Sequence, residues 1–214
     1  MLQKLTTAIT EMNEKEAVAI AEKLLNNGTE PLEVIEACQK AMEVIGRRFS
    51  AGECFIPELI LAGDMMKQIS EKAEPHLKQD VAVKKHGRVI IATVEGDIHD
   101  IGKNIVVSML DANGFDVLDL GVDVPVAKIV ETAKEFKPSV VGLSGLLTLA
   151  FDPMKAVVAA LEEEGLRKNI KVMIGGGMID EQVRQYTGAD TFGANAMDAV
   201  IFAKKWTGGK QNVG

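Results

Sequence analysis

Residues 89–104 read VIIATVEGDIHDIGKN, and this stretch decides the fold. Its first six residues, Val89–Val94, are a continuous apolar run of the kind that forms a strand buried on both faces. A polar loop follows, with Gly96 before and Gly102 after a single histidine, His99. A helical pattern then begins near residue 103. A buried strand that leads through a short loop into a helix predicts the first half of a βαβ unit.

The same alternation continues to the C-terminal side. Further strands are predicted at Phe115–Leu120, Ser139–Leu143, Lys171–Ile174 and Ala189–Phe192. Helices are predicted at 103–113, 125–136, 153–164, 180–187 and 195–206. This pattern indicates right-handed crossovers on a parallel sheet. Five strands favour the flavodoxin-like (Rossmann-type) order 2-1-3-4-5, in which ligands bind beyond the carboxyl ends of the strands.

The first 80 residues have a helical period throughout. Asn13 is placed to cap one helix, and Thr29 is predicted to cap the next, with Pro31 in its first turn. We expect four antiparallel helices in a bundle, followed by a linker at Val81–Gly87. The predicted domains are a helical domain with its linker at residues 1–87 and an α/β domain at residues 88–214.

Composition limits the function classes. The chain has 214 residues, of which 47% are hydrophobic and 26% charged, as in ordinary globular proteins. A net charge of −7 argues against a nucleic-acid partner, because phosphate contacts need clustered Lys and Arg. No apolar run approaches the roughly 20 residues of a membrane span, and no signal-peptide core is evident. Cys38 and Cys54 have no metal-site spacing. We expect a cytoplasmic protein without a membrane partner.

The loop after the first strand carries the candidate chemistry. His99 stands at the predicted ligand-binding edge, and Asp97 lies two residues before it. An imidazole is a good ligand for a transition metal such as cobalt, and its second nitrogen usually donates a hydrogen bond to a carboxylate. Asp97 is placed for that role. Gly102 lets the backbone bend and leaves room for a bulky group beside the loop.

Taken alone, the Asp-x-His pattern is weak, because a loop histidine beside an acid is more often a solvated or core residue. A metal site built from Asp and His needs further ligands, and the other histidines, His76 and His86, lie elsewhere. A flavin site of the flavodoxin kind needs a hydroxyl-rich phosphate loop here, and this loop has no Ser or Thr. A dinucleotide site needs a GxGxxG motif, which is missing.

Two further motifs favour a ligand site over an ordinary loop histidine. Ser144-Gly145-Leu146 ends the third predicted strand, and Gly175-Gly176 ends the fourth. With Asp97-x-His99-x-x-Gly102 they resemble the cobalamin-binding domain of methionine synthases and corrinoid methyl-carrier proteins, which has Asp-x-His-x-x-Gly, Ser-x-Leu and Gly-Gly in this order. The segment 119–125 (DLGVDVP) is also typical of that family. The N-terminal helices resemble its helical cap module, so the resemblance covers nearly the whole chain.

The resemblance implies a cofactor and its contacts. The cofactor is cobalamin or a related corrinoid, carried as methylcobalamin and cycling between Co(I) and Co(III), with His99 as the lower cobalt ligand. The benzimidazole tail leaves the cobalt and enters a groove in the α/β domain. The implied cofactor-binding residues are Asp97, His99, Gly102, Ser144, Leu146, Thr148, Gly175, Gly176, Phe192 and Gly193 in the α/β domain, with Phe55, Leu59 and Met65 on the cap surface.

One position departs from the family pattern. In methionine synthases a serine six residues beyond the Ser of Ser-x-Leu completes a relay with the motif Asp and His. That position here is Ala150. The relay is therefore shortened, or a water molecule or Thr148 supplies the hydroxyl group.

The resemblance also implies a role. The chain is expected to be a non-catalytic carrier of methyl groups between a substrate-specific corrinoid methyltransferase and an acceptor methyltransferase that passes them to a thiol or a tetrahydropterin, with a reductive activase as a third partner. The cap is expected to act as a lid that shifts when a partner binds. Methylated amines are the first expectation for the substrate. The alternatives are a cobalamin-binding sensor module, which usually carries a signalling or DNA-binding domain, and the small subunit of a corrinoid-dependent mutase, which needs a catalytic barrel.

Overall fold

The computed structural model describes residues 1–76 and 85–208. Contacts within the chain group these residues into two compact units, one helical and one that begins at residue 85 and contains the sheet. Residues 81–84 of the predicted linker lie outside the described residues. The domain boundary at residue 87 therefore stays a prediction. In the part of the chain that is described, no helix has the length and apolar character needed to cross a bilayer.

The helical unit contains α1 (Leu2–Thr10), α2 (Glu14–Asn26), α3 (Pro31–Ser50) and α4 (Ile56–Ala73), followed by a short 3-10 turn at Glu74–His76. The carboxamide oxygen of Asn13 accepts a hydrogen bond from the backbone N–H of Glu16, which confirms the predicted cap of α2. The prediction that Thr29 caps α3 is wrong. The cap is Glu30, because Pro31 occupies the first helical position, where its missing N–H costs nothing.

The second unit alternates strands and helices as the sequence predicts. Its elements are β1 (Arg88–Thr93), α5 (Ile101–Ala112), β2 (Asp116–Asp119), α6 (Val126–Phe136), β3 (Val140–Ser144), α7 (Phe151–Glu163), β4 (Lys171–Gly175), α8 (Glu181–Thr187), β5 (Thr191–Gly193) and α9 (Ala196–Trp206). All strand pairs are parallel, and the strand order is β2-β1-β3-β4-β5. The predicted fold class is confirmed.

The strand order determines where a ligand-binding crevice can form. From β1 the chain moves to β2 on one side, and later returns to place β3 on the other side of β1. The order of strands reverses at this point, so a crevice forms beyond the carboxyl ends of β1 and β3. The loops that follow these two strands begin at Val94 and Gly145. They carry the Asp-x-His and Ser-x-Leu motifs, which therefore meet at the crevice.

The core of this unit lies on the sheet face that α6 and α7 cover. Alternate residues of β1, β3 and β4 point into it and pack against α6 and α7, and its members include Ile90, Val141, Ile174, Ile129 and Val157. Burying one such side chain contributes about 1.5–3 kcal/mol. This packing holds the strands in fixed register, so the loops at their carboxyl ends start from rigid positions.

Candidate functional site

Asp97 and His99 form a tight pair in the loop after β1. The Asp97 side chain is completely buried, whereas that of His99 is 48% exposed. Asp97 Oδ1 lies 2.7 Å from His99 Nδ1 and accepts a second hydrogen bond from the His99 backbone N–H at 3.0 Å. The imidazole is thus tied by one edge to a buried carboxylate, while the rest of the ring lies at the surface.

The second oxygen of Asp97 connects this loop to the loop after β3. Asp97 Oδ2 accepts hydrogen bonds from the backbone N–H groups of Leu146 at 2.7 Å and Leu147 at 3.1 Å. Burial opposes ionisation of the carboxyl group, but the hydrogen bonds from His99, Leu147 and Leu146 outweigh burial and lower the pKa of Asp97 to about 2. Asp97 is therefore a carboxylate at neutral pH, and a neutral His99 ring holds its proton on Nδ1.

Two side chains outside the motif fix the shape of this loop. The buried Thr93 hydroxyl donates to the carbonyl of His99 at 3.0 Å. The Asp123 carboxylate accepts from the Gly96 N–H at 2.7 Å, and the Asp123 N–H donates to the Asp97 carbonyl at 2.9 Å. Neither residue was predicted from the sequence. A polar residue inside the apolar run of β1 was the available signal for Thr93, and its place in the DLGVDVP segment was the signal for Asp123.

A cavity of about 250 Å³ lies beside the pair, on the sheet face that α5 and α9 cover. Five predicted site residues line it: Gly102, Ser144, Gly175, Gly176 and Gly193. The other lining residues are Ile91, Lys103, Val106, Gly142, Leu143, Met173, Ile174, Gly177, Ala194, Asn195, Ala196 and Ala199. Most of this lining is glycine, alanine or an apolar side chain. The cavity therefore suits a flat, mainly apolar group.

The predicted glycines serve different purposes. Gly176 has a φ of +146°, and a Cβ atom there would lie 1.8 Å from the Gly145 carbonyl oxygen, so the protein's own backbone requires glycine. A Cβ atom at Gly175 would come no closer than 3.7 Å to the Gly193 carbonyl oxygen. Gly102 lies in the first turn of α5 rather than in a bent loop, and a Cβ atom there would point into open space. Gly102 therefore leaves room and is not needed for backbone bending.

Leu146 and Thr148 lie exposed on the segment between β3 and α7, and Thr148 begins a short 3-10 turn at Thr148–Ala150. Neither lines the cavity. Leu146 belongs instead to an apolar surface near His99, the "rim", whose exposed residues are Ile98, Ile101, Leu146, Leu147, Leu149 and Met178. Thr148 lies between two of these residues in the sequence. Exposed apolar side chains gathered at a crevice are typical of a ligand or interaction surface.

Phe192 does not line the cavity. Its side chain packs, partly buried, against the core beneath α6 and α7, because it alternates in β5 with Gly193, which does line the cavity. Phe192 and Gly193 therefore lie on opposite faces of the sheet. The structure thus brings only Gly193 of this predicted pair to the cavity.

Two of the residues predicted for the cap surface are buried. Leu59 is 1% exposed, and it shares a stripe along α4 with Ala62, Met66, Ile69 and Ala73, which the bundle buries. Met65 is also buried. The prediction that Leu59 and Met65 lie on the surface is therefore wrong. Phe55 is 67% exposed, and its exposed apolar neighbours are Ile56 and Ile60.

The relay position is filled by apolar packing. Ala150 is buried, and its methyl group lies so close to Gly145 that a Cβ atom on that glycine would be 2.4 Å from it. The Asp97 carboxylate accepts four hydrogen bonds, from the ring and backbone of His99 and from two backbone N–H groups. Within the described residues, no hydrogen bond joins Thr148 to Asp97, and the carboxylate is satisfied without a hydroxyl group.

Potential metal ligands are not clustered in the described part of the chain. Within residues 1–76 and 85–208, no group of three or more His, Cys, Asp or Glu side chains gathers at one point. His99 stands there as a single potential metal ligand. A single protein ligand suits a metal whose other positions are filled by a chelating cofactor.

Comparison with known proteins identifies such a cofactor. Residues 87–201 match the family described as B12 binding domain, and residues 1–74 match a second family with the same description. Trimethylamine corrinoid protein 2 of Methanosarcina mazei is 40% identical over 206 residues, covering 95% of this chain and 94% of that protein.

Two crystal structures are similar over the whole length. A cobalamin-binding protein from Desulfitobacterium hafniense DCB-2 is 43% identical, with a TM-score of 0.82 over 96% of this chain and 98% of that one. A chain of the methanol:cobalamin methyltransferase complex from Methanosarcina barkeri is 30% identical, with a TM-score of 0.84 over 98% of this chain and 80% of that one. This chain therefore belongs to the family of corrinoid proteins that combine a B12 binding domain with a helical B12-binding cap.

Proposed function

We propose that this chain carries a methyl group on a bound corrinoid between two methyltransferases. One partner loads the methyl group from a methylated amine or a related one-carbon substrate, and the other passes it to a thiol or a tetrahydropterin. The corrinoid, cobalamin or a close relative, supplies the cobalt that holds the methyl group in transit. Relatives named for trimethylamine and dimethylamine support the amine class. The similar chain in a methanol:cobalamin methyltransferase complex supports a methyltransferase partner.

The observation that carries this proposal is the His99–Asp97 pair. In a neutral imidazole whose Nδ1–H donates to a carboxylate, the lone pair on Nε2 is free to bind a metal. Asp97 is buried, ionised and held by backbone N–H groups, so it fixes the orientation of the ring. His99 is therefore our candidate for the lower cobalt ligand, and Asp97 for the residue that orients it.

The cavity and the rim are assigned to two parts of the cofactor. The cavity residues Gly102, Ser144, Gly175, Gly176 and Gly193 line a space suited to the nucleotide tail. The exposed residues Leu146 and Thr148 are candidates for contact with the lower face of the corrin ring. Phe55 is the remaining candidate for the cap, since it is the exposed member of the predicted cap residues.

The remaining assignments follow from this role. We assign the cap and its linker to residues 1–87 and the corrinoid domain to residues 88–214. The chemistry of methyl loading and removal belongs to the partners, so the chain itself is a non-catalytic subunit, served by an acceptor methyltransferase and a reductive activase. Two buried cysteines, Cys38 and Cys54, carry free thiols, which supports a reducing, cytoplasmic location.

The test is a comparison of absorbance spectra after reconstitution with hydroxocobalamin and desalting. We expect the wild type to retain the corrinoid with a spectrum typical of histidine ligation, and His99→Ala to lose or change that spectrum. His76→Ala, at an exposed position in the helical unit, serves as the matched control. Retention of an unchanged spectrum by His99→Ala rules out His99 as the ligand. Loss of all corrinoid from the wild type on desalting rules out the whole proposal.

The substrate class needs a separate measurement. The reconstituted, reduced protein is mixed with the methyltransferase for trimethylamine, dimethylamine or methanol, together with its substrate. Methyl uptake is followed by absorbance. We expect uptake with an amine methyltransferase, and uptake with the methanol enzyme alone contradicts the amine assignment.

A further inference from the structure

Lys103 is a buried charge in the wall of the cavity. It lies in the first turn of α5 and is 3% exposed. Among the described residues that line the cavity, Lys103 is the only charged one. Removing an ammonium group from water costs several kcal/mol unless partners compensate for the loss. A charge retained in a mainly apolar wall calls for a specific explanation.

Two acceptors contact the ammonium group in the structure. Lys103 Nζ lies 2.5 Å from Asp119 Oδ2 and 2.7 Å from Asn104 Oδ1. Asp119, at the end of β2, also accepts a hydrogen bond from the Gly121 N–H at 2.9 Å and is partly exposed. An ammonium group has three N–H donors. The two acceptors leave one N–H donor of Lys103 without an assigned partner among the described residues, and Lys103 itself lines the cavity.

We infer that the Lys103 ammonium group binds the phosphodiester of the corrinoid's nucleotide tail. The inference rests on the proposed function, since it concerns the cofactor assigned to this cavity. The phosphodiester is the anionic group of the tail, and it lies between the corrin ring and the base. An anion drawn into an apolar cavity requires a cation or several N–H donors beside it. Lys103 supplies the cation and one N–H donor, and the adjacent Gly102 leaves open space next to it.

The competing explanation is that the Lys103–Asp119 pair only fastens α5 to β2. The two explanations differ for cobinamide, which has the corrin ring but lacks the nucleotide and its phosphodiester. If Lys103 binds the phosphodiester, Lys103→Met weakens the binding of cobalamin and leaves the binding of cobinamide unchanged. If the pair is only structural, the substitution weakens both equally.

The experiment measures dissociation constants for both corrinoids by absorbance titration. We expect Lys103→Met to weaken cobalamin binding about ten- to hundredfold, as for the loss of a hydrogen bond to a charged group, with cobinamide unaffected. Lys128→Met, at an exposed position on α6, is the matched control. Thermal unfolding of the cofactor-free variants checks that each one is folded. Equal losses for both corrinoids, or no loss for cobalamin, overturns the inference.

A second variant tests the inference from the opposite side. Asp119→Asn removes the negative charge that competes for Lys103 and keeps the ammonium group in place. We expect this variant to retain the full preference for cobalamin over cobinamide, even if the cofactor-free protein is less stable. A loss of that preference, matching Lys103→Met, overturns the inference. Failure of the wild type to bind cobalamin is a different result, because it refutes the proposed function itself.

Discussion

The loops after β1 and β4 reach the same crevice, but they are built in opposite ways. The loop after β1 depends on a side chain, because the Asp97 carboxylate collects four hydrogen bonds and ties His99 to the loop after β3. The loop after β4 depends on the absence of side chains. Gly176 lets its backbone approach the Gly145 carbonyl oxygen, and Gly175 leaves space in the cavity. In the proposed function, the first loop presents a group to the corrinoid, and the second makes space for it.

The difference shows what each motif can reveal. A carboxylate two residues before a histidine is weak evidence alone, but with the Ser-x-Leu and Gly-Gly motifs it indicates a metal ligand and the acid that orients it. A pair of glycines indicates no particular chemistry, since each glycine can be required either by the backbone conformation or by the space that a ligand needs. Only the distances separate Gly176, which the backbone requires, from Gly175, which faces the cavity with room to spare.

The largest effect is expected from Gly176→Ala. A methyl group at a φ of +146° and 1.8 Å from the Gly145 carbonyl oxygen forces the two loops apart. We expect a loss of about 3 kcal/mol or more in the free energy of unfolding of the cofactor-free protein, measured by denaturant titration. A loss below about 1 kcal/mol contradicts the requirement for glycine at this position.

A smaller loss is expected from Asp97→Asn. The amide keeps one acceptor but loses the charge and presents N–H groups to donors, which costs about 2 kcal/mol. The sign of the pH dependence follows from the lowered pKa of Asp97, from 3.8 to about 2. The carboxylate stabilises the fold above its ordinary pKa, and this contribution is lost as pH falls from about 4 to about 2. Acid titration of unfolding should therefore be less steep in the variant than in the wild type over that range.

Asp190→Asn is the control for that substitution. Asp190 is another largely buried carboxylate, bonded to Lys171, Arg167 and the Val172 N–H, but it lies where β4 and β5 begin, at the opposite edge of the sheet. We expect its loss to destabilise the protein and leave the spectrum of bound hydroxocobalamin unchanged, whereas Asp97→Asn changes that spectrum. The same spectral change in both variants would mean that Asp97 acts through stability alone.

The fold could be predicted almost completely from the sequence, because each strand is an apolar run and each helix repeats apolar residues at helical spacing. The errors lie at the ends of elements. Thr29 was favoured as a cap by its hydroxyl group, but the position of Pro31 fixes the cap at Glu30. Leu59 was misplaced because α4 has apolar residues on more than one face, so its period alone does not separate the buried stripe from the exposed Ile60.

The site was predictable where the chemistry is local in sequence. Asp97 and His99 are two residues apart, and one motif contains both. The supporting residues escaped because their partners are far along the chain. Lys103 meets Asp119, and Gly142 makes room for Ile91, since a Cβ atom there would lie 2.5 Å from the Ile91 Cδ1 atom. Strand register pairs Gly142 with Ile91, and the packing of α5 on the sheet brings Lys103 to Asp119.

A third variant, Gly175→Ala, separates the two glycines. Its methyl group meets nothing closer than 3.7 Å, so the stability of the cofactor-free protein should change by no more than about 0.5 kcal/mol. The methyl group enters the cavity proposed for the nucleotide tail, and overpacking there is expected to weaken cobalamin binding about tenfold. Cobinamide, which has no tail, should bind as before. An unchanged cobalamin affinity removes Gly175 from the tail site.

The smallest effect is expected from Thr148→Val, which keeps the shape of the side chain and removes its hydroxyl group. Asp97 already accepts four hydrogen bonds from His99, Leu146 and Leu147, so no donor from Thr148 is needed. At this exposed position we expect a change within about 0.5 kcal/mol in stability and an unaltered spectrum of bound hydroxocobalamin. A spectrum that shifts toward that of Asp97→Asn would show instead that Thr148 supplies the hydroxyl group that Ala150 lacks. The arrangement of Asp97 and His99 would then depend on the Thr148 side chain as well.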